Sequence, residues 1–345
     1  MATTVNQAFA EFIDNLTISK SKRDIANSSV DAIKNQIDNL SNKELIPNTV
    51  NSKHYVFGSF SRRTKNVPLD DIDVIICFDS CECAKMFEYS WDNIKIVIQN
   101  GGNKRLIDLC DKKSTYGYPY QSECELNSNR FKNKLVSSLS SVQYYKNAEL
   151  HARGEAVTLS LSSYDWTFDL VPAFYYDKDG ETIYLIPNGK GRWKKTNPRK
   201  ERQRIADLNI LFKNIVGKVV RLVKYWNKRG KMPTMTSYVL ETMVLDFFDA
   251  RPIPKETDTL FIDLLFKDVL DYIAKNINGY IGDSKGIEGD INTLSYSERH
   301  SIMNRAMNDY KKAVNAVAAE VKENNQKKSI NIWRDIFGEE FPSYE

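Results

Sequence analysis

Histidine, cysteine and long apolar runs are all scarce in this chain of 345 residues. No stretch approaches the roughly 18 consecutive apolar residues of a membrane-spanning helix. Charged residues stand near the amino terminus, where a signal peptide would be apolar. We therefore expect a cytoplasmic protein. The three histidines, His54, His151 and His300, are isolated in the sequence, and nothing marks them as metal ligands or catalytic bases.

The five cysteines all precede residue 125, at Cys77, Cys81, Cys83, Cys110 and Cys124. An odd number forms no even disulfide framework, and this usage suits a reducing compartment. The pair Cys81 and Cys83 alone is too small a motif for a four-ligand zinc site. We expect neither a disulfide framework nor a zinc site.

The most informative motif joins a glycine-serine turn to two carboxylates. Gly58 and Ser59 precede Asp71 and Asp73, which open an apolar run. Side chains alternate along a strand, so the two carboxylates project to one side. Such a pair can hold Mg²⁺ against substrate phosphates, and a glycine-serine turn allows close approach of phosphate oxygens. The alternative is an ordinary acidic turn before a strand, since a lone Asp-x-Asp motif has little specificity.

A third carboxylate with strand character follows at Asp169. Apolar and polar residues alternate around it, which is typical of a half-buried strand. A carboxylate between Phe168 and Leu170 is costly to desolvate unless it meets a cation or hydrogen-bond donors. Asp169 is therefore the best candidate for the third acid of a two-metal site, and a structural role is the alternative.

These motifs resemble those of a cGAS/DncV-like nucleotidyltransferase (bacterial CD-NTase), within the polymerase-β-like superfamily. The segment 169–173, Asp-Leu-Val-Pro-Ala, is similar to the family's third catalytic strand, and the segment 184–198 is similar to its Ile-Pro…Trp…Asn-Pro stretch. The resemblance spans most of the chain. No cysteine follows Asp169, where the animal DNA sensor of the family carries a His/Cys zinc insertion, so the resemblance is to the bacterial members.

The resemblance also implies a donor-nucleotide site in the helical part of the chain. There a lysine and a serine bind the triphosphate and an adjacent aromatic residue stacks on a base; the matching residues are Lys224, Ser237 and Tyr238, with Glu241 as a buried brace. The chemistry agrees, because lysine is a compact charge and a serine near a helix start can donate to an anion. The alternatives are a solvated lysine, a helix N-cap and a core aromatic.

Basic residues are concentrated at 190–204, where eight lysines and arginines face one acid. This segment could contact nucleic acid, steer NTPs towards the site, or solvate a loop. The loop that contains Arg62, Arg63 and Lys65 is better placed to meet phosphates. We therefore predict that Arg62 binds nucleotide together with the glycine-serine turn of Gly58 and Ser59.

The predicted fold is α+β, with a polymerase-β-like nucleotidyltransferase core of mixed sheet and helices, a C-terminal helical lobe, and the active site in the cleft between. Residues 1–200 are expected to form the N-terminal helices and catalytic core, and 201–345 the helical lobe that completes the nucleotide pocket. Periodicity predicts helices over 6–40, near 82–89 and over most of 202–325, and strands near 54–60, 70–79, 94–98, 105–109, 156–162 and 164–171.

Together these features predict an enzyme that joins NTPs into a cyclic di- or trinucleotide second messenger and releases pyrophosphate. Asp71, Asp73 and Asp169 are the expected catalytic residues and the ligands of two Mg²⁺ ions, with Mn²⁺ as a substitute. The resemblance implies bacterial anti-phage (CBASS) signalling, in which the product reaches a separate effector protein. We expect a monomer that binds neither a membrane nor, stably, nucleic acid. The alternatives are a template-independent RNA-tailing or CCA-type polymerase, and a non-catalytic nucleotide- or RNA-binding module.

Overall fold

The computed structural model describes residues 2–99, 102–112, 124–229 and 233–345. The chain divides into two compact units. The helical unit comprises Met1–Ile18, Arg62–Pro68 and Lys200–Glu345, and the sheet unit comprises Ser19–Ser61 and Leu69–Arg199. The domain boundaries expected from the sequence, 1–200 and 201–345, stay a prediction. Compared with them, the helical unit also includes the first helix and the short loop Arg62–Pro68.

The helices of the described residues run in chain order. They are α1 Val5–Leu16, α2 Lys20–Asn42, α3 Gly58–Ser61, α4 Lys104–Ile107, α5 Ser128–Ser140, α6 Pro198–Leu211, α7 Val216–Arg229, α8 Ser237–Asp249, α9 Ile262–Asn276, α10 Tyr296–Val321 and α11 Gln326–Phe337. Among the residues that were searched, no helix is both long and apolar enough to cross a membrane.

The strands of the described residues form one mixed sheet. They are β1 Tyr55–Phe57, β2 Asp71–Cys77, β3 Ala84–Ser90, β4 Asn93–Ile98, β5 Cys110–Lys112, β6 Cys124–Leu126, β7 Glu149–Arg153, β8 Ala156–Ser160, β9 Thr167–Lys178, β10 Glu181–Pro187 and β11 Trp193–Thr196. The order is β1-β2-β9-β10-β11-β4-β6-β5, with β3 beside β4, β8 beside β9 and β7 beside β8. Strands β2 and β9 are parallel, and β8 and β10 are antiparallel to β9. The predicted mixed sheet with helices is confirmed.

Aromatic side chains hold α5 against the sheet. The Phe131 ring lies 4.7 Å from that of Phe78, 5.7 Å from that of Phe174 and 6.0 Å from that of Trp193, measured between centroids. All of these rings are buried. Helix α5 begins at the Asn127 cap, whose side chain accepts from the backbone N–H groups of Asn129 and Arg130. The cap and the aromatic cluster together fix the sheet from which β2 and β9 present their carboxylates.

The first helix packs within the helical unit. Its apolar stripe, predicted from helical spacing, is buried. Phe9 lies 5.0 Å from the Trp333 ring, and Phe12 lies 5.1 Å from the Phe337 ring. Thr4 caps the helix by accepting from the Gln7 N–H.

Two predicted elements are wrong in type. The helix expected near 82–89 is strand β3, which pairs antiparallel with β4. Its sequence is rich in helix formers, and only the partner strand decides its conformation. The strand expected near 105–109 is the helical turn α4, which the Asn103 side chain caps by accepting from the Arg105 N–H at 2.9 Å.

The expectation about disulfides is also wrong for one cysteine pair. Cys110 and Cys124 form a disulfide, with their Cα atoms 5.2 Å apart. Strands β5 and β6 pair antiparallel, and this pairing brings the two cysteines together. Cys77, Cys81 and Cys83 are free thiols.

Candidate active site

The two carboxylates of the Asp-x-Asp motif occupy the start of β2. Asp71 and Asp73 are half-buried, whereas Ile72 and Val74 between and after them are buried. The alternation predicted from the sequence is therefore present. Both carboxylates project from the same side of the sheet.

Parallel pairing brings the third predicted acid beside this pair. The backbone of Asp73 in β2 lies opposite that of Asp169 in β9, and Asp71 lies opposite Thr167. Asp169 is half-buried between the buried Phe168 and Leu170. Neighbouring strands lie about 4.8 Å apart, so two acids in register occupy adjacent positions on one sheet face.

Gly58 fits directly against Asp73. Its φ of +69° lies in the left-handed region that favours glycine. A β-carbon built on Gly58 would stand 1.9 Å from Asp73 Oδ2 and 2.8 Å from its Cγ. Glycine is therefore required at this position for two reasons: it adopts the positive φ of the turn, and it leaves room for the Asp73 carboxylate. Ser59 follows it in the short helix α3, half-buried.

Asp169 is held by a residue that sequence reasoning missed. Thr158 in β8 lies opposite Asp169, and its Oγ1 donates to Asp169 Oδ1 at 2.7 Å. The bond fixes one carboxylate oxygen and leaves the second for another partner. Only the register of β8 on β9 reveals this role, because a threonine on a strand carries no signal of its own.

The residues at this end of the sheet suit a hard divalent cation. Carboxylate oxygens are the protein ligands that Mg²⁺ prefers, and Asp71, Asp73 and Asp169 supply three carboxylate groups. Within the described ranges, no group of three or more His, Cys, Asp and Glu side chains is already arranged to hold a metal ion. Strand pairing alone places the three carboxylates at one edge of β2 and β9. Mg²⁺ usually takes its remaining ligands from water and substrate phosphates.

The remaining predicted nucleotide-binding residues lie in the helical unit, where Glu241 joins two of them. Arg62 Nε donates to Glu241 Oε2 at 3.0 Å, and its Nη2 donates to Oε1 at 3.2 Å. Lys224 Nζ lies 2.5 Å from Glu241 Oε1. Glu241 is only 3% exposed, so the brace inferred from the sequence is indeed buried. Arg62 also donates to Glu201 at 2.7 Å.

The charges of this cluster shift each other's protonation. Burial raises the pKa of Glu241, but Arg62 and Lys224 outweigh it and bring the pKa to about 2. Burial lowers the pKa of Lys224, and Arg62 and Lys65 add to this effect against Glu241. Burial also raises the pKa of Glu201. Glu241 thus stays ionised between Arg62 and Lys224, and each of the two cations has this carboxylate as a partner.

Tyr238 is fixed on two sides by the loop at 282–290. Its hydroxyl donates to the carboxylate of Asp283, and Ser284 Oγ lies 3.1 Å from the same hydroxyl. The Lys285 ammonium stands 4.4 Å from the centroid of the Tyr238 ring, a cation–π contact. Burial and the hydrogen bond to Asp283 raise the pKa of Tyr238. The ring is thus an oriented, half-buried platform.

Ser237 is the first residue of α8 and is exposed. The cap itself is Thr236, whose side chain accepts from the Val239 N–H. Ser237 is therefore not the N-cap, and its hydroxyl and N–H lie at the positive end of the helix. Sequence reasoning missed Lys285 and Asp283, because their contacts with Tyr238 depend on how a distant loop folds back.

The chain is similar to known proteins along its whole length. Residues 3–124 match the Second Messenger Oligonucleotide or Dinucleotide Synthetase domain. The chain is 36% identical to a probable cyclic nucleotide synthase of Bacillus cereus (strain VD146), over 100% of both proteins.

Solved structures share the fold at low sequence identity. CdnC of E. coli MS115-1, solved in complex with HORMA-deltaN, superposes with a TM-score of 0.66 at 15% identity over 98% of each chain. The apo form of Vibrio cholerae DncV gives a TM-score of 0.66 at 12% identity, covering 99% of this chain and 96% of that one. With the match along the whole Bacillus relative, these findings place the chain in the cGAS/DncV-like nucleotidyltransferase family.

Proposed function

We propose that this nucleotidyltransferase joins NTPs into a cyclic di- or trinucleotide second messenger and releases pyrophosphate. The observation that carries the proposal is the register of Asp73 with Asp169 on parallel strands, with Asp71 on the same side of β2. The curated relative at 36% identity is named as a probable cyclic nucleotide synthase, which supports a cyclic product.

The proposed metal is Mg²⁺, with Mn²⁺ as a substitute. Asp71, Asp73 and Asp169 would hold it, because they supply carboxylate oxygens at one sheet edge. A bound pair of such ions polarises phosphoryl oxygens and lowers the pKa of an attacking hydroxyl. The protein positions its own acids: Gly58 leaves room for Asp73, and Thr158 orients Asp169.

The proposed nucleotide contacts divide by chemistry. Gly58 and Ser59 would face phosphate oxygens through backbone N–H and hydroxyl groups. Lys224 and Ser237 would bind the triphosphate, and the Tyr238 ring would stack on a base. Lys224 forms an ion pair with Glu241. A bound phosphate would therefore either replace Glu241 as the partner of Lys224 or share Lys224 with it. Arg62 donates to Glu241 and Glu201, and a direct phosphate contact by Arg62 would require a similar exchange.

We further propose that the product acts in bacterial anti-phage (CBASS) signalling, in the cytoplasm, through a separate effector protein. The support is family membership together with the proposed cyclic product.

The direct experiment incubates the purified protein with the four NTPs and Mg²⁺ and follows pyrophosphate and new oligonucleotides. Synthesis that is lost in Asp71→Asn and in Asp73→Asn supports the assignment. Asp165→Asn is the matched control, because its side chain is 85% exposed and lies near Asp169 in sequence. A double variant of Asp71 and Asp73 that still makes product would refute the metal assignment.

A further inference from the structure

Three aromatic rings around the β3–β4 hairpin each carry a cation. Lys95 Nζ stands 5.8 Å from the Phe87 ring centroid, Arg192 Cζ 5.3 Å from that of Tyr89, and Lys194 Nζ 5.8 Å from that of Trp91. We call these six residues the aromatic–cation strip. All of them belong to the sheet unit, and none is among the predicted active-site residues.

Two rings of the strip are open to solvent, and the third, that of Trp91, is half-buried. Tyr89 is 64% exposed and Phe87 is 43% exposed, values that are unusual for large aromatic side chains. Strand β3, which carries both, is exposed along almost its whole length. Next to them lies a groove of about 410 Å³, lined in part by Trp91, Asn188 and Lys190. These rings contribute little to the core and offer flat faces to a ligand.

Two cations of the strip, Arg192 and Lys194, are held in place. Arg192 Nε donates to Glu125 at 2.9 Å, and its Nη1 donates to the Asn93 side chain at 2.8 Å. Lys194 forms an ion pair with Glu155. Fixed cations lose less conformational entropy when they bind an anion than mobile ones do. The groove lining has Lys190, Arg192 and Lys194 against the single acid Asp92, and the two acids that pair with Arg192 and Lys194 do not line it. The surface of the groove therefore favours an anionic ligand.

We propose that the aromatic–cation strip binds single-stranded nucleic acid. Exposed aromatic rings stack unpaired bases, and neighbouring lysines and arginines meet the phosphates that link them. A free phosphate would bind the cations but would make no stacking contact with the rings. A duplex hides its base faces, so it would gain only the electrostatic part. The proposal replaces the sequence-based expectation that the chain forms no stable complex with nucleic acid.

The test uses fluorescence anisotropy with labelled single strands of about 20 nucleotides, as RNA and as DNA, and with the matching duplex. We expect single strands of either sugar to bind more tightly than the duplex. We expect Tyr89→Ala to weaken binding about tenfold, since stacking on one ring contributes roughly 1–3 kcal/mol per base, and Tyr89→Phe to bind as the wild type does. The affinity should fall as salt rises from about 50 to about 200 mM, because counterions are released.

The matched control is Tyr144→Ala, because Tyr144 is 82% exposed and lies in the same unit outside the strip. It should leave the affinity unchanged. NTP turnover without added nucleic acid should be the same in Tyr89→Ala as in the wild type. Equal affinity of duplex and single strand, or equal effects of the Tyr89 and Tyr144 variants, would overturn the proposal.

Discussion

Gly58 and Asp73 fit together so closely that a β-carbon on the glycine would stand 1.9 Å from Asp73 Oδ2. The catalytic role proposed for Asp73 therefore depends on the absence of a side chain in the turn that follows β1. Gly58 and Asp73 lie apart in the sequence, and the pairing of Phe57 in β1 with Asp73 in β2 brings them into contact.

We predict that Gly58→Ala lowers nucleotidyl transfer by about 100-fold, because it displaces a carboxylate that must be accurately placed. Initial rates of pyrophosphate release measure this. Gly180→Ala is the matched control, since Gly180 also has a positive φ, +79°, but no atom lies within 4 Å of the place that a β-carbon would take there. If both alanine variants lose the same activity, backbone strain is the cause and the contact with Asp73 is not.

Thr158→Val should lower the rate about tenfold, because partners that orient a ligating carboxylate typically contribute this much. Thr158 Oγ1 donates to Asp169 Oδ1 at 2.7 Å, and valine keeps the shape but cannot donate. Thr158→Ser retains the hydroxyl and should restore most of the rate. The account of Asp169 is wrong if valine and serine behave alike at saturating NTP.

Glu241→Gln should lower the free energy of unfolding by about 3 kcal/mol, because it leaves Arg62 and Lys224 without their shared buried counter-charge. The pKa of Glu241 is about 2 in the folded protein, below its ordinary 4.5. Its stabilisation is thus present above pH 4.5 and declines as the pH falls towards 2. Urea unfolding at a series of pH values measures both effects. The variant should lack this part of the acid slope, while Asp165→Asn, at an exposed ion pair, should keep it.

His54 gives the stability of the protein a second dependence on pH. Its Nδ1 accepts from the Cys77 N–H at 3.0 Å, so its Nε2 carries the proton towards Asp38, also 3.0 Å away. Burial lowers the pKa of His54 below 6.5, although Asp38 acts to raise it. As the pH falls, His54 therefore becomes protonated in the unfolded chain before it does so in the folded chain. The free energy of unfolding should thus decrease as the pH drops below 6.5.

His54→Gln should flatten the stability profile just below pH 6.5, the ordinary pKa of the group. The exposed His300 provides the control, because His300→Gln should leave the profile as it is. Thermal unfolding across this range measures the difference. An unchanged slope in His54→Gln would show that another group controls stability there.

The sequence predicted the carboxylates because strand periodicity marks them locally. Asp71 and Asp73 alternate with buried residues, and Asp169 stands between Phe168 and Leu170, so each could be read from a few neighbours. Thr158 and Lys285 could not be found this way. Their roles come from strand register and from a loop contact, which depend on the folded chain.

The incorrect predictions have the same physical origin. Strand β3 contains Ala84, Lys85 and Met86, which favour helix when considered alone, but pairing with β4 decides the outcome. The disulfide between Cys110 and Cys124 depends on the β5–β6 pairing and has no sequence signature beyond two cysteines.

The activity that we propose for this chain is the closure of nucleotides into a ring. The most direct measurement is mass spectrometry of the phosphatase-resistant products formed from the four NTPs and Mg²⁺ without any RNA. We predict a product with no terminal phosphate, whose mass equals the sum of its nucleoside monophosphates less one water for each linkage, and which is absent with Asp73→Asn. Products that all lose terminal phosphates to the phosphatase, or nucleotide incorporation that occurs only when RNA is added, would contradict ring closure.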